Sequence, residues 1–307
     1  MPYRRIAALL VVFCSALAAA DIIEDVRTSL AHQNPAAAES QLNIYKLEHG
    51  TTSEYIEALS WMARSALAAK QLDKAETDAK ETESLVRQQL AHTKLDSDQH
   101  LAMALGAAIE VEAQVLAARG QQAQAVALLR RNIATYSKTS IQPRLQKNLN
   151  LLALVGQPAP PLSLSEYFGP KPVALAQLKG SPVLLFFWAH WCPDCKIEGP
   201  IIAQLLSEFG PKGLIAVAPT QLYGYAAHGE DATPKDELAY IQHVWQTYYA
   251  ALQNCPVPVS QANFNLYGAS TTPTLVLLDR AGKVSLYHPG AMPSADLRSA
   301  IEKIVAN

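Results

Sequence analysis

Trp191-Cys192-Pro193-Asp194-Cys195 puts two thiols three positions apart, just after a short apolar run and at the opening of a stretch that reads as helix. Cysteines at that spacing can close a small disulfide. A helix start, with its free N–H groups and positive dipole end, stabilises the thiolate of the first. The chemistry to expect is thiol–disulfide exchange: Cys192 attacks as an exposed nucleophile, a mixed disulfide forms, and Cys195, one turn deeper, resolves it. Pro193 and Asp194 tune the pair from inside. The charge of Asp194 opposes a thiolate at Cys192, and a less stabilised thiolate makes the dithiol the better reductant. The sequence therefore favours disulfide reduction over disulfide formation. Zinc is the rival use of such a pair, but no second pair stands at ligand spacing, and neither a metal nor another cofactor is expected. His190, beside the motif, reads as a plain surface imidazole, with tuning of the thiolate as the sharper alternative. Cys255 reads as a buried inert thiol or as a regulatory or intermolecular partner, and its neighbours do not decide between them.

The motif needs a frame, and the C-terminal half supplies one. Val183 to Trp188, after Gly180-Ser181-Pro182, is short, apolar and aromatic enough for a buried parallel strand, and Leu214 to Ala218 reads the same way. Thr233-Pro234-Lys235-Asp236 gives an N-cap, a first-turn proline and an acid, so a helix is expected from there to about Leu252. Thr274 to Leu278 and Val284 to His288 read as a hairpin turning at Asp279-Arg280-Ala281-Gly282, and Ser294 starts a helix through Val305. The order β-α-β-α-β-β-α makes an α/β domain, a mixed central sheet with helices on both faces. The aromatic segment Pro219 to Gly229 is longer than a tight strand-to-helix connection. It falls at the sheet edge of the active-site turn, either as a substrate lip or as a packing flap.

At these residues the chain resembles the thioredoxin superfamily, and within it the exported thiol-disulfide oxidoreductases of the TlpA/ResA type, over roughly residues 157–307. Phe187 to Cys195 matches that family's strand and active-site turn, and Pro200 matches the proline that kinks its active-site helix. Thr272-Pro273-Thr274 matches its cis-proline loop, which implies that Thr272 and Pro273, with Trp191, contact the substrate beside the disulfide. Glu198 matches the buried glutamate of the cytochrome-maturation branch. Cytoplasmic-type thioredoxins keep an aspartate six positions before the first cysteine, where this chain has Phe186, so the resemblance leaves Glu198 to handle the proton of Cys195. Its alternative is a solvated acid in the first turn of the helix. A thiol peroxidase needs serine or threonine where Ala189 stands, and copper-delivery relatives use a longer cysteine spacing with a partner histidine.

Ahead of this half, Asp21 to about Leu154 is rich in Ala, Leu, Gln and Glu, with apolar residues at helical spacing. Similar junctions recur around Ala38, Ala75 and Ala125, 37 and then 50 residues apart, each closing one helix and opening the next. Such helix pairs resemble tetratricopeptide repeats in degenerate form; a plain helical bundle is the alternative. Arg4 and Arg5, the apolar run Ile6 to Leu17 and Ala18-Ala19-Ala20 follow the order of a secretory signal with cleavage expected after Ala20. Two readings compete with it: an uncleaved anchor through residues 6–20, and a lipoprotein signal at Cys14, which bulky Phe13 disfavours. The expected layout is thus a signal peptide at 1–20, an all-helical domain like tetratricopeptide repeats at 21–154, a Pro-rich linker at 155–161, and a thioredoxin-like domain of TlpA/AhpC-TSA type at 162–307. The chain is expected to be exported and periplasmic.

Half of the 307 residues are hydrophobic, enough for two domain cores. The formal net charge is −2, and −4 without the first twenty residues, which gives no electrostatic case for nucleic acid. Membrane contact follows only from an uncleaved signal segment. The implied partners are protein thiols and disulfides and an upstream thiol-disulfide electron donor. A rival function makes the helical half a binding scaffold and the C-terminal half a structural module, but such a module has no need of Cys192, Cys195 and Thr272-Pro273 together.

Overall fold

The computed structural model describes residues 21–306, so the signal-segment reading lies outside the described residues. Seven helices come first: α1 (Ile22–Ala31), α2 (Pro35–His49), α3 (Ser53–Ala68), α4 (Leu72–Gln89), α5 (Gln99–Ala118), α6 (Gln122–Thr135) and α7 (Gln142–Ala153). Side chains of Asp21, Asn34, Thr52 and Asp98 cap four of them by accepting N–H bonds of the first turn. At each of the three similar junctions a residue turns left-handed, Gln33 (φ 57°), Lys70 (φ 61°) and Gly120 (φ 76°). The alanine that follows, Ala38, Ala75 or Ala125, is fully buried. A methyl group there lets the paired helices approach closely. α5 is apolar and long enough to span a membrane, but its side chains form the centre of this core, packed among α3, α4, α6 and α7.

The C-terminal half contains β1 (Tyr167–Phe168), β2 (Val183–Phe187), α8 (Pro193–Phe209), β3 (Ile215–Val217), α9 (Pro234–Tyr248), β4 (Val257–Pro258), α10 (Gln261–Tyr267), β5 (Thr274–Leu278), β6 (Val284–Pro289) and α11 (Ser294–Val305). The central sheet runs β3-β2-β5-β6, parallel between β2 and β3 and antiparallel elsewhere, with Leu185 opposite Val217 and Val276. The period of two sorts β2 between two cores. Leu184, Phe186 and Trp188 face α8, α9 and α11; Val183, Leu185 and Phe187 face Phe264 and Tyr267 of α10. This is the expected mixed sheet with helices on both faces. The two-residue pair β1–β4 and the short α10 add to the expected order.

The segment 155–161, read as a linker, is held to the sheet. Gly156 and Ala159 donate to the carbonyls of Val284 and Gly282, and Val284 donates to Gln157, at 2.8 to 3.0 Å. Leu154, at the end of α7, is buried beside Phe264 and Tyr267. Gly268, at φ +59°, closes α10 against the backbone of α7. A Cβ there would lie 2.2 Å from the nitrogen of Lys147. The two halves therefore share a packed seam.

Candidate functional site

Trp188 fixes the level of the active-site turn. Its Nε1 donates to the Ala218 carbonyl at 3.1 Å, its own carbonyl accepts from Thr220 Oγ1 at 2.9 Å, and its ring packs on Trp245 and Tyr249. Tyr249 reaches under α8 because Gly199 leaves room, a Cβ there falling 2.6 Å from the tyrosine ring. The chain then turns through Ala189 and His190, and Pro193 occupies the first turn of α8.

Cys192 is the N-cap of α8, its Sγ accepting the N–H of Cys195 at 3.1 Å. As a thiol it donates to the carbonyl of Thr272 at 3.3 Å, and the Thr272–Pro273 peptide is cis. Hydrogen bonding from the Cys195 thiol outweighs burial. With further hydrogen bonds at Thr272 and the Cys195 backbone, it holds the Cys192 pKa down at about 6. Asp194 does push it up, as expected, but as the weakest of these influences. Its thiolate is therefore well stabilised, which corrects the premise drawn from Asp194. Cys195 is fully buried, and burial followed by proximity to Cys192 drives its pKa far upward. One sulfur is made to ionise and its neighbour to wait.

Glu198, one turn after Cys195 on α8, is 1% exposed. Its Oε2 accepts the Met292 N–H at 3.4 Å, its Oε1 has no partner, and burial raises its pKa. That rules out the solvated-acid alternative. Pro200 sits inside α8. Cys255 is a buried free thiol with its pKa pushed up to about 11 by burial. Trp191 is 47% exposed beside the pair.

Two positions differ from expectation. Cys192, expected to be exposed, is only 2% accessible, and His190, expected on the surface, is 1% accessible. The aromatic segment and α9 account for the second: Tyr223 and Tyr225 of the segment and Tyr240 of α9 set their rings edge-on to His190 at 5.3 to 5.5 Å, and Tyr223 also meets Trp191 at 5.6 Å. Burial lowers the His190 pKa, favouring a neutral ring. Its Nε2 lies 3.4 Å from Oε1 of Glu237, itself 1% exposed. Glu237 accepts the N–H groups of Tyr223 at 2.5 Å and Gly224 at 2.8 Å. Sequence reading singled out the start of α9 but missed Glu237, because a buried first-turn acid is written like a solvated one. Among the described residues no cluster of three or more His, Cys, Asp or Glu side chains is arranged to hold a metal.

Comparison with known proteins matches residues 155–286 to the AhpC/TSA family. The thioredoxin-like protein YneN of Bacillus subtilis is 28% identical over 149 residues, spanning 48% of this chain and 78% of that protein. The thiol:disulfide interchange protein DsbE of Xylella fastidiosa is 28% identical over 156 residues, 50% and 71% of the two chains. The thiol-disulfide oxidoreductase ResA of Bacillus anthracis is 26% identical over 150 residues, 49% and 78%. Among solved structures, a thioredoxin-family thiol:disulfide interchange protein from Chlorobium tepidum covers 48% of this chain and 96% of its own, at 21% identity and a TM-score of 0.38.

Proposed function

We propose that this protein, whose residues 155–286 match the AhpC/TSA family, is a thiol-disulfide oxidoreductase that reduces disulfides of protein substrates outside the cytoplasm. The observation that carries the reading is the split between the two sulfurs, Cys192 held near a pKa of about 6 at a helix N-cap and Cys195 buried with its pKa raised. The Cys192 thiolate attacks one sulfur of the substrate disulfide and the other leaves as a thiolate that takes up a proton. The Cys195 thiol then loses its proton, with Glu198 as acceptor, and attacks Cys192. This frees the second substrate thiol and leaves a Cys192–Cys195 disulfide. Two electrons pass to the substrate, and an upstream dithiol donor returns the pair to its reduced form. Thr272, Pro273 and Trp191 border Cys192 and contact the substrate chain.

The direction rests on the same sulfur. A pKa of about 6 lies nearer the ~7 of thioredoxin than the ~3.5 of the strong oxidant DsbA. Residues 1–20 direct export to a periplasm, and the helical half, which carries no cysteine between Asp21 and Leu154, holds the protein client while Cys192 works on it. Counting thiols tests the reading: reduction of the oxidised protein must release two, reversibly, and Cys192→Ser must abolish the change. No reversible pair in the parent protein would refute it.

A further inference from the structure

Around the redox pair, one buried charge has no part in the exchange steps. Glu237 on α9 is 1% exposed, and three groups meet its carboxylate: the N–H of Tyr223, the N–H of Gly224 and, at 3.4 Å, Nε2 of His190. A buried carboxylate is costly unless it is hydrogen-bonded, so where two backbone N–H groups satisfy one, the loop carrying them is fixed to the helix carrying it. The loop is the aromatic segment. Fixed there, Tyr223 meets Trp191 at 5.6 Å and Phe264 at 6.4 Å, and both Tyr223 and Tyr225 meet His190. His190 lies two residues before Cys192 in the same turn, held by the packing of the three tyrosine rings and by the contact of its Nε2 with Glu237. Cys192, in the same neighbourhood, is left 2% accessible.

We propose that Glu237, acting with His190, is a positioning residue: it ties the 222–225 loop down beside Trp191, and the tied loop selects which disulfides reach Cys192. With the loop tied, a slim or extended disulfide segment enters along the Thr272–Pro273 side, and a disulfide embedded in a bulky surface is disfavoured. This selection rests on the oxidoreductase reading, whereas the tether itself does not, and the two are measured separately.

Glu237→Gln removes the charge and one of the two acceptors. The first measurement is alkylation of Cys192 by iodoacetamide in the full chain, carried in a Cys195→Ala background at about pH 9, well above the usual range of a perturbed thiolate. Loss of a hydrogen bond to a charged group predicts a rise of roughly tenfold in that rate. Glu237→Asp, which keeps the charge, should recover part of the protection. The second measurement, in the chain with both cysteines, compares insulin with hydroxyethyl disulfide as substrates. The variant should raise kcat/KM for insulin by clearly more than the roughly tenfold by which easier access to Cys192 raises it for the small disulfide. Tyr223→Leu, which keeps both bonds to Glu237 and removes the covering ring, should raise alkylation likewise, and it serves if Glu237→Gln does not fold. Unchanged alkylation in a folded Glu237→Gln protein would overturn the tether, and unchanged alkylation in Tyr223→Leu would overturn the covering of Cys192 by the tied loop. Increased alkylation with unchanged substrate preference would overturn the selection alone. Absence of any disulfide reduction by the parent would count against the oxidoreductase reading instead.

Discussion

Removing the side chain of Cys195 should raise the pKa of Cys192. The Cys195 thiol is the largest influence holding Cys192 at about 6: it outweighs burial, which raises the value, and exceeds the lowering effects of Thr272 and the Cys195 N–H. A hydrogen bond to a charged group contributes about 1.5–3 kcal/mol, and one pKa unit corresponds to about 1.36 kcal/mol. Cys195→Ala therefore shifts Cys192 upward by ~1–2 units, because the Cys195 N–H bond at 3.1 Å remains. At pH 7 the thiolate fraction falls from ~90% to ~10–50%, and alkylation slows in proportion while its plateau at high pH is unchanged. Cys195→Ser keeps an O–H donor and should shift less. Asp194→Asn removes an influence that raises the value and should shift it slightly down. The assay is iodoacetamide reactivity, or thiolate absorbance near 240 nm, followed from about pH 4 to 10. An unmoved or lowered midpoint in Cys195→Ala would refute the assignment of the hydrogen bond as the dominant cause.

Three further outcomes follow from other buried groups. Glu198→Gln leaves the first attack by Cys192 intact but slows resolution by roughly tenfold to a hundredfold, seen as accumulating mixed disulfide in stopped-flow mixing; equal resolution rates would return Glu198 to a structural role. Glu112 on α5 has its pKa pushed up to about 8 by burial and then by Glu83. An acid raised on folding loses stability as pH climbs from its unfolded value toward its folded one. Glu112→Gln should therefore gain ~1–3 kcal/mol over the parent between about pH 4.5 and 8, and a constant gap in thermal melts across that window would contradict this. Gly268→Ala forces a Cβ at φ +59° to within 2.2 Å of the Lys147 nitrogen and should cost at least ~3 kcal/mol in urea unfolding; a cost below ~1 kcal/mol would mean the α7–α10 seam yields easily.

The redox centre was legible because its chemistry is local. Cys192, Pro193 and Cys195 are neighbours in the chain, the β2 run is continuous, and α11 begins and ends at the residues its pattern gives. Thr272-Pro273 and Glu198 became readable only through likeness to a family, since nothing in their immediate neighbours says that one peptide is cis and the other side chain buried. Burial by distant segments was not legible. His190 sits between an alanine and a tryptophan, which is compatible with surface or core, and three tyrosines from two other segments decide it. Cys192 read as exposed for the same reason. The seam at Gly268 was hidden too: a glycine ending a short helix ordinarily signals a C-cap, and its closeness to α7 adds no mark to the sequence. Prolines at 158, 160 and 161 gave an extended segment correctly, yet extended chain serves a free linker and a strand-like edge equally well.

The central claim is that Cys192 and Cys195 form a working couple poised to reduce. Equilibrating the protein with glutathione or dithiothreitol buffers and following free thiols, or the fluorescence of nearby Trp191 and Trp188, measures its reduction potential directly. A single two-electron transition nearer the ~−270 mV of thioredoxin than the ~−120 mV of DsbA is the predicted result. A transition near ~−120 mV would contradict the direction of transfer, and no two-thiol transition at all would contradict the oxidoreductase itself.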